Sequence, residues 1–148
     1  MGKIIITSGF FNPLHIGHVN LFKEAKKLGD FLVVIVNNDE QVKHKGSVHF
    51  MPEAERLEII KNIKSVDEVI LAIDKNNGFI PESLEMLAKK HKGHELIFAK
   101  GGDRNINNLP ELEKAICLKY NIKITSGVGG AKVQSSSWLL ASKNKIES

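Results

Sequence analysis

Two imidazoles stand one helical turn apart in His15-Ile16-Gly17-His18. They follow a short apolar run, Lys3 to Thr7, and a flexible turn, Ser8 to Pro13. They also open a segment whose apolar residues recur at helical spacing. Where a strand gives way to a helix, backbone N–H groups and the positive end of the helix dipole face the same spot, and that spot suits a phosphate. Histidines placed there add donors for charge that develops during phosphoryl chemistry. Taken alone, a His-x-x-His pair is equally compatible with half a metal site or with two ordinary histidines. The turn before it, with Gly9, Asn12 and Pro13, favours the phosphate reading.

Three further stretches carry chemistry. Lys43-His44-Lys45-Gly46 concentrates positive charge, and a mobile ammonium suits a phosphate clamp. Lys100-Gly101-Gly102-Asp103-Arg104 puts two glycines after an apolar run, where backbone can approach a ligand closely and Asp103 can accept hydrogen bonds from a sugar or a base. Ser135-Ser136-Ser137 supplies hydroxyls at the start of a helix, which either cap it or cradle a phosphate. Arg56, in Pro52-Glu53-Ala54-Glu55-Arg56, is either one half of a surface ion pair or a substrate contact. His44, His49, His91 and His94 lack cysteine or carboxylate partners at ligand spacing, so no metal-ligating residue is assigned.

The elements that must position these residues alternate regularly. Strands are expected over Lys3–Thr7, Phe31–Val36, Asp67–Ile73, Glu95–Ala99 and Ile122–Thr125. Helices are expected over His15–Leu28, from Pro52, over Pro81–His91, Leu109–Tyr120 and Ser135–Ser142. Asn37–Met51 has no period and reads as a loop, and Asn76-Asn77-Gly78 as a turn. On the helix from Leu109, the residues Leu112, Ala115 and Ile116 mark the expected apolar phase, and Cys117 reads as core. Alternating strands and helices imply right-handed crossovers. The fold class is therefore α/β, a Rossmann-like doubly wound parallel sheet of five strands with helices on both faces. In such sheets ligands lie beyond the carboxyl ends of the strands, which puts all the stretches above on one rim.

Size and composition bound the rest. The chain has 148 residues, the span of a single domain over 1–148, with 42% hydrophobic and 26% charged residues. No apolar run reaches the ~20 residues that span a bilayer, and the N-terminus lacks a signal-peptide pattern. One cysteine excludes an intrachain disulfide, and a cytoplasmic location is expected. The net charge of +4 fits anionic substrates or a lysine-rich surface. No interleaving of aromatic and basic residues suggests nucleic acid, and no partner membrane is expected.

The run Gly9-Phe10-Phe11-Asn12-Pro13-Leu14-His15-Ile16-Gly17-His18 resembles the G-x-F-D-x-x-H-x-G-H signature of the nucleotidylyltransferase superfamily. Asn12 stands where that signature has Asp, so a hydrogen-bonding role carries over and a charged one does not. Lys100-Gly101-Gly102-Asp103 looks like the K-G-G-D of heptose-phosphate adenylyltransferases. Ser135-Ser136-Ser137 resembles the superfamily's I-S-T-T or S-S-T motif, without a basic residue in the next turn. The four motifs run in the superfamily's order from Thr7 to Leu140. Archaeal-type flavin adenylyltransferases are also similar in length and motif.

The resemblance implies transfer of an NMP group from a nucleoside triphosphate to a phosphorylated small metabolite, with release of pyrophosphate. It implies that His15, His18 and Lys45 act on the reacting phosphate. Gly9, Phe10, Phe11, Asn12, Gly17, Gly101, Asp103, Ser135, Ser136 and Ser137 would hold the nucleotide, and Lys43, Arg56 and Arg104 the acceptor. Magnesium would bridge the phosphates, and a homodimer is expected. Lys-Gly-Gly-Asp points to ATP. Val66-Asp67-Glu68-Val69-Ile70 is closer to cytidylyltransferases, so AMP transfer is favoured and CMP transfer stays open. A non-catalytic nucleotide sensor on the same fold would bind the triphosphate without releasing pyrophosphate.

Overall fold

Ile4 and Ile6 bury against one layer of helices and Ile5 against the other. For that reason β1 (Lys3–Gly9) reads as an unbroken apolar run rather than an alternating one. The same holds for β2 (Phe31–Val36): Val33 and Ile35 face one layer, Leu32, Val34 and Val36 the other. The computed structural model describes residues 2–48, 50–76, 78–101 and 109–129. In them β1 and β2 join β3 (Glu68–Leu71), β4 (Glu95–Gly101) and β5 (Lys123–Val128) in one sheet of order β3-β2-β1-β4-β5, and every paired ladder is parallel.

Helices cover both faces. On one, α1 (Ile16–Lys26) contributes Phe22 and Ala25, and α3 (Glu53–Lys61) contributes Ile60. On the other, α4 (Pro81–Lys90) contributes Leu84, Leu87 and Ala88, and α5 (Glu111–Lys119) contributes Cys117. The five-stranded doubly wound sheet expected from the alternating pattern is the sheet that forms. Among the described residues no helix is long and apolar enough to cross a membrane.

Two elements differ from expectation. Asn37–Met51 is not a loop throughout, because Asp39–Lys45 forms α2, seven residues long. Caps hold this helix, not an apolar stripe. Asn38 Oδ1 accepts from Gln41 N at 2.8 Å and Gln41 Oε1 accepts from Asn38 N at 3.1 Å. Asp39 and Glu40 lie at its start, Lys43, His44 and Lys45 at its end, and Gly46 closes it at φ +76°. Helix α5 buries Cys117 and packs Ile116 on the core as expected, but turns Leu112 and Ala115 outward. Leu112 is 61% exposed, while Glu113 and Cys117 are buried. The buried line of α5 is fixed by its contacts with α4 and by the Glu113 carboxylate, which accepts from Ile80 N at 3.0 Å, rather than by where its leucines fall.

Candidate active site

The chain lays down β1, β2 and β3 in one direction, then crosses back to place β4 on the free side of β1. The crevice at the carboxyl ends of β1 and β4 is therefore the switch point at which α/β sheets bind ligands. A cleft of about 410 Å³ opens there, floored by Thr7–Gly9 and Ala99–Gly101. Gly9, Phe10, Phe11, His18, Lys45 and Gly101 all line it, although they come from three separate stretches of sequence.

Helix α1 begins at Ile16, one residue later than the apolar pattern suggests, because His15 is its cap, with extended φ −149° and ψ 177°. His15 Nδ1 accepts from Gly17 N at 3.1 Å, and His18 Nδ1 accepts from His15 N at 3.1 Å. The two histidines thus cap the helix reciprocally, in the manner of a capping box. Each Nδ1 receives a backbone proton, so each neutral ring carries its own proton on Nε2. The rings stack at 3.8 Å between centroids. Burial, and secondarily the neighbouring His15, push the His18 pKa down to about 3. His18 is therefore a neutral Nε2–H donor on the cleft wall, with His15 packed against its face and His15 Nε2 shielded from solvent.

The turn that delivers them is anchored from inside. Phe11 sits at φ +52°, a left-handed conformation that costs a non-glycine residue on the order of 1–3 kcal/mol. Its ring is buried edge-on against His18 at 4.9 Å and Phe22 at 5.4 Å. Gly9 must lack a side chain here, because a Cβ would lie 2.9 Å from Phe11 Cζ. Asn12 is 3% exposed and faces the protein, not a ligand. Its Oδ1 accepts from Phe50 N and Met51 N, and its Nδ2 donates to Val48 O at 2.7 Å. Neutral Asn suits this place, since an Asp could not donate to that carbonyl.

Arg56 is likewise not a substrate contact. Its side chain is fully buried. It donates from Nε to Met51 O at 2.9 Å, and from Nη1 to Phe10 O at 2.8 Å and Asn37 O at 2.6 Å. From Nη2 it donates to Asp39 Oδ1 at 2.7 Å. The guanidinium ties the turn after β1, the end of β2, the start of α2 and the segment before α3 into one rim.

Gly17 lies in the first turn of α1 with its amide committed to His15, outside the lining of the cleft. Lys45 and Lys43 part company on α2. Lys45 Nζ lies over the Phe10 ring, 4.3 Å from its centroid, on the cleft wall. Lys43 is exposed and does not line the cleft. Asp103, Arg104, Ser135, Ser136 and Ser137 lie outside the described residues.

The lining also includes residues to which the sequence reading gave no site role, among them Gly78, Phe79, Lys100 and Glu113. Lys100 is the next-to-last residue of β4 and packs its ammonium over Phe98 at 4.4 Å. Its place just before Gly101 was a usable signal. Glu113, in the first turn of α5, left none. The thiol of Cys117 is pushed up to about 11 by burial and then by the Glu113 carboxylate, against the opposing effect of Lys100, so it is an inert core group.

This geometry agrees with comparison to known proteins. Residues 6–123 match the model of a family described as Cytidylyltransferase-like. The chain belongs to that family. The FAD synthase of Pyrococcus abyssi is 36% identical over 119 residues, covering 80% of this chain and 76% of that protein. The FAD synthase of Ferroglobus placidus is 46% identical over 79 residues, 53% of this chain. The match spans about half of that relative's length, 51%. Among solved structures, the lipopolysaccharide core biosynthesis protein of Thermoplasma volcanium superposes with a TM-score of 0.65 at 28% identity, covering 86% of this chain and 95% of that one. The cytidylyltransferase-like match runs from within β1 to the first residue of β5, and contains every lining residue of the cleft.

Proposed function

We propose that the protein transfers the AMP group of ATP to a phosphorylated acceptor and releases pyrophosphate, and that the acceptor is FMN. The reading is carried by one observation: the His18 imidazole, held as an Nε2–H donor by the His15 backbone N–H and backed by the stacked His15 ring, stands on the switch-point rim at the start of α1. FMN follows from the FAD synthases of P. abyssi and F. placidus, whose name describes that product.

The chemistry follows from charge. An oxygen of the acceptor phosphate attacks the α-phosphorus in line. The bond from α-phosphorus to the bridging oxygen breaks, and its electron pair leaves with pyrophosphate. Charge grows on the α-phosphoryl and bridging oxygens, and the neutral His18 Nε2–H, with His15 bracing its ring, stabilises it without a proton having to move. The acceptor phosphate is already anionic and needs no strong base. Backbone groups of Gly9, Phe10 and Phe11 hold the β and γ phosphates, and Lys45 draws in the acceptor phosphate. Ser135, Ser136 and Ser137 add hydroxyls to the triphosphate, Asp103 accepts from the nucleoside and Arg104 joins the acceptor side, as the family pattern implies. Among the described residues no three histidine, cysteine or carboxylate side chains converge on one point. Magnesium needs no such cage, since it is usually held through substrate phosphates, and it would supply neutralisation of their charge.

A second reading takes CTP or a sugar phosphate, favoured by the family's description and by the Thermoplasma structure. Purified protein with magnesium, ATP or CTP, and a panel of FMN, sugar phosphates and polyol phosphates decides between them. FAD formed together with pyrophosphate, from ATP and FMN alone, is the expected result. Pyrophosphate release only with a sugar or polyol phosphate establishes the second reading. Triphosphate binding without release under any condition overturns both in favour of a sensor.

A further inference from the structure

We propose that Phe10, Gly78, Phe79 and Lys45 form a subsite for a flat aromatic ring system borne by the phosphorylated acceptor. The inference rests on the nucleotidyl-transfer reading and adds what the acceptor must look like.

Phe10 occupies the free position of the G-x-F-D-x-x-H-x-G-H pattern, so the phosphate motif does not demand a phenyl ring there. The structure nonetheless fixes that residue. Its carbonyl is held by the buried Arg56, and its ring carries the Lys45 ammonium at 4.3 Å from the centroid. The loop after β3 then passes the ring edge with no side chain in between. Gly78, at φ +132°, would bring a Cβ to 3.1 Å from Phe10 Cε2 and Cζ. Glycine is thus required twice here, by the backbone angle and by the close approach.

Phe79 comes next, and it lines the same cleft as Phe10 and His18 while remaining 39% exposed. Its backbone is nonetheless held. Its N–H donates to Asn76 Oδ1 at 2.7 Å, and its carbonyl accepts from the fully buried Gln41 at 2.9 Å. An exposed phenyl on a braced backbone, beside a second phenyl and a cation, is preorganised apolar area without hydroxyl or amide donors for a polyol. It suits a ring with π-faces joined to an anion. The aromatic groups take the ring and Lys45 the phosphate, in the cleft that His18 also lines. A sugar phosphate would leave both phenyl surfaces poorly used and its own hydroxyls without partners from them.

Flavin fluorescence tests this directly. FMN is titrated into wild type, Phe79→Leu, Phe79→Tyr and Phe10→Leu, with ATP affinity measured on each by calorimetry. Because Phe79 is partly exposed, its replacement leaves the core intact. Expected are quenching on binding to wild type and an FMN Kd about tenfold weaker in both leucine variants, the scale of one lost stacking partner. Phe79→Tyr should bind as wild type does, and ATP affinity should move less than twofold in both Phe79 variants. If FMN is adenylylated but Phe79→Leu binds it within twofold of wild type, the subsite is wrong and the transferase reading stands. If a sugar phosphate is the substrate and FMN does not bind, the subsite falls in the same way. If no acceptor yields pyrophosphate with wild type, both fall, and that assay involves no variant.

Discussion

The two rims of the cleft are built by opposite means. On the β1–α1 side, the hydrogen bonds that cap the helix through the imidazoles join residues two or three apart: Gly17 to His15, His15 to His18. On the α2 side, the wall carrying Phe10, Lys45 and Phe79 is assembled from bonds that join distant stretches. Arg56 reaches the carbonyl of Phe10, 46 positions away. Gln41 reaches Asn76 and Phe79, 35 and 38 positions away. The first rim is therefore preorganised as soon as one helix starts, whereas the second exists only once the whole sheet has folded. A chemical step common to a family suits the first construction. A wall that must vary with the acceptor suits the second.

That contrast predicts where substitutions do most damage. Arg56→Met removes the one cation common to four segments and leaves the carbonyls of Phe10, Asn37 and Met51, with the Asp39 carboxylate, without their donor. A loss of about 3–5 kcal/mol is expected, the range for breaking a buried ion pair, and the denaturant midpoint measures it. Arg56→Lys should recover only part of the loss, because one ammonium cannot match the fork. Were Arg56 instead a substrate contact, the midpoint would stay put and KM alone would rise.

His18→Gln separates capping from chemistry on the local rim. Glutamine at this helix position can still accept from the cap residue's N–H, so stability should fall by less than about 1 kcal/mol. The imidazole donor is lost, however, and kcat should drop on the order of 10²-fold or more while the nucleotide Kd changes little. Equal losses in Kd and kcat would show that His18 only helps to bind.

Gln41→Leu tests the long-range rim. The Gln41 amide is fully buried, with Oε1 accepting from Asn37 Nδ2 and Asn38 N, and Nε2 donating to Asn76 Oδ1 and the Phe79 carbonyl. Removing it strands several buried polar groups, each worth roughly 1–3 kcal/mol when unsatisfied. Partial relaxation should hold the net loss to about 2 kcal/mol. Amide exchange should accelerate at Gly78 and Phe79 but not at Gly17 or His18. Equal acceleration on both rims would mean that they open as one unit.

The same division explains what could be read in advance. Strands β1 and β2 were legible because Ile4 to Ile6 and Leu32 to Val36 are apolar on both faces, a signal that survives without knowledge of the partner strand. The His pair was legible because its geometry is local. Helix α2 was not, since its stability lies in the Asn38–Gln41 cap and a single glycine stop rather than in apolar period. Arg56 and Asn12 were placed on substrate because polar residues in a motif suggest contact with a ligand. The tertiary structure buries both and turns their donors to protein carbonyls and a carboxylate. Nothing within a few residues of either position carries that information.

The smallest effect expected is a dependence on pH, and it sharpens the picture of the local rim. His18 has its folded-state pKa lowered from 6.5 to about 3, chiefly by burial. Between these values the unfolded chain binds a proton that the folded chain does not. Stability contributed at this site is therefore intact above pH 6.5 and declines as pH falls toward 3. From pH 6.5 to pH 5 the loss from this one site should be about 1.5 kcal/mol. His18→Gln should abolish that part of the slope, measured by denaturant midpoints at several pH values. The imidazole also stays neutral throughout this range, so the wild-type kcat profile should carry no inflection from His18 between pH 5 and 8. An acid limb near pH 6.5 that disappears in His18→Gln would mean that His18 titrates as a solvated histidine does, and that the stack with His15 and the packing on Phe11 do not hold it as a neutral donor.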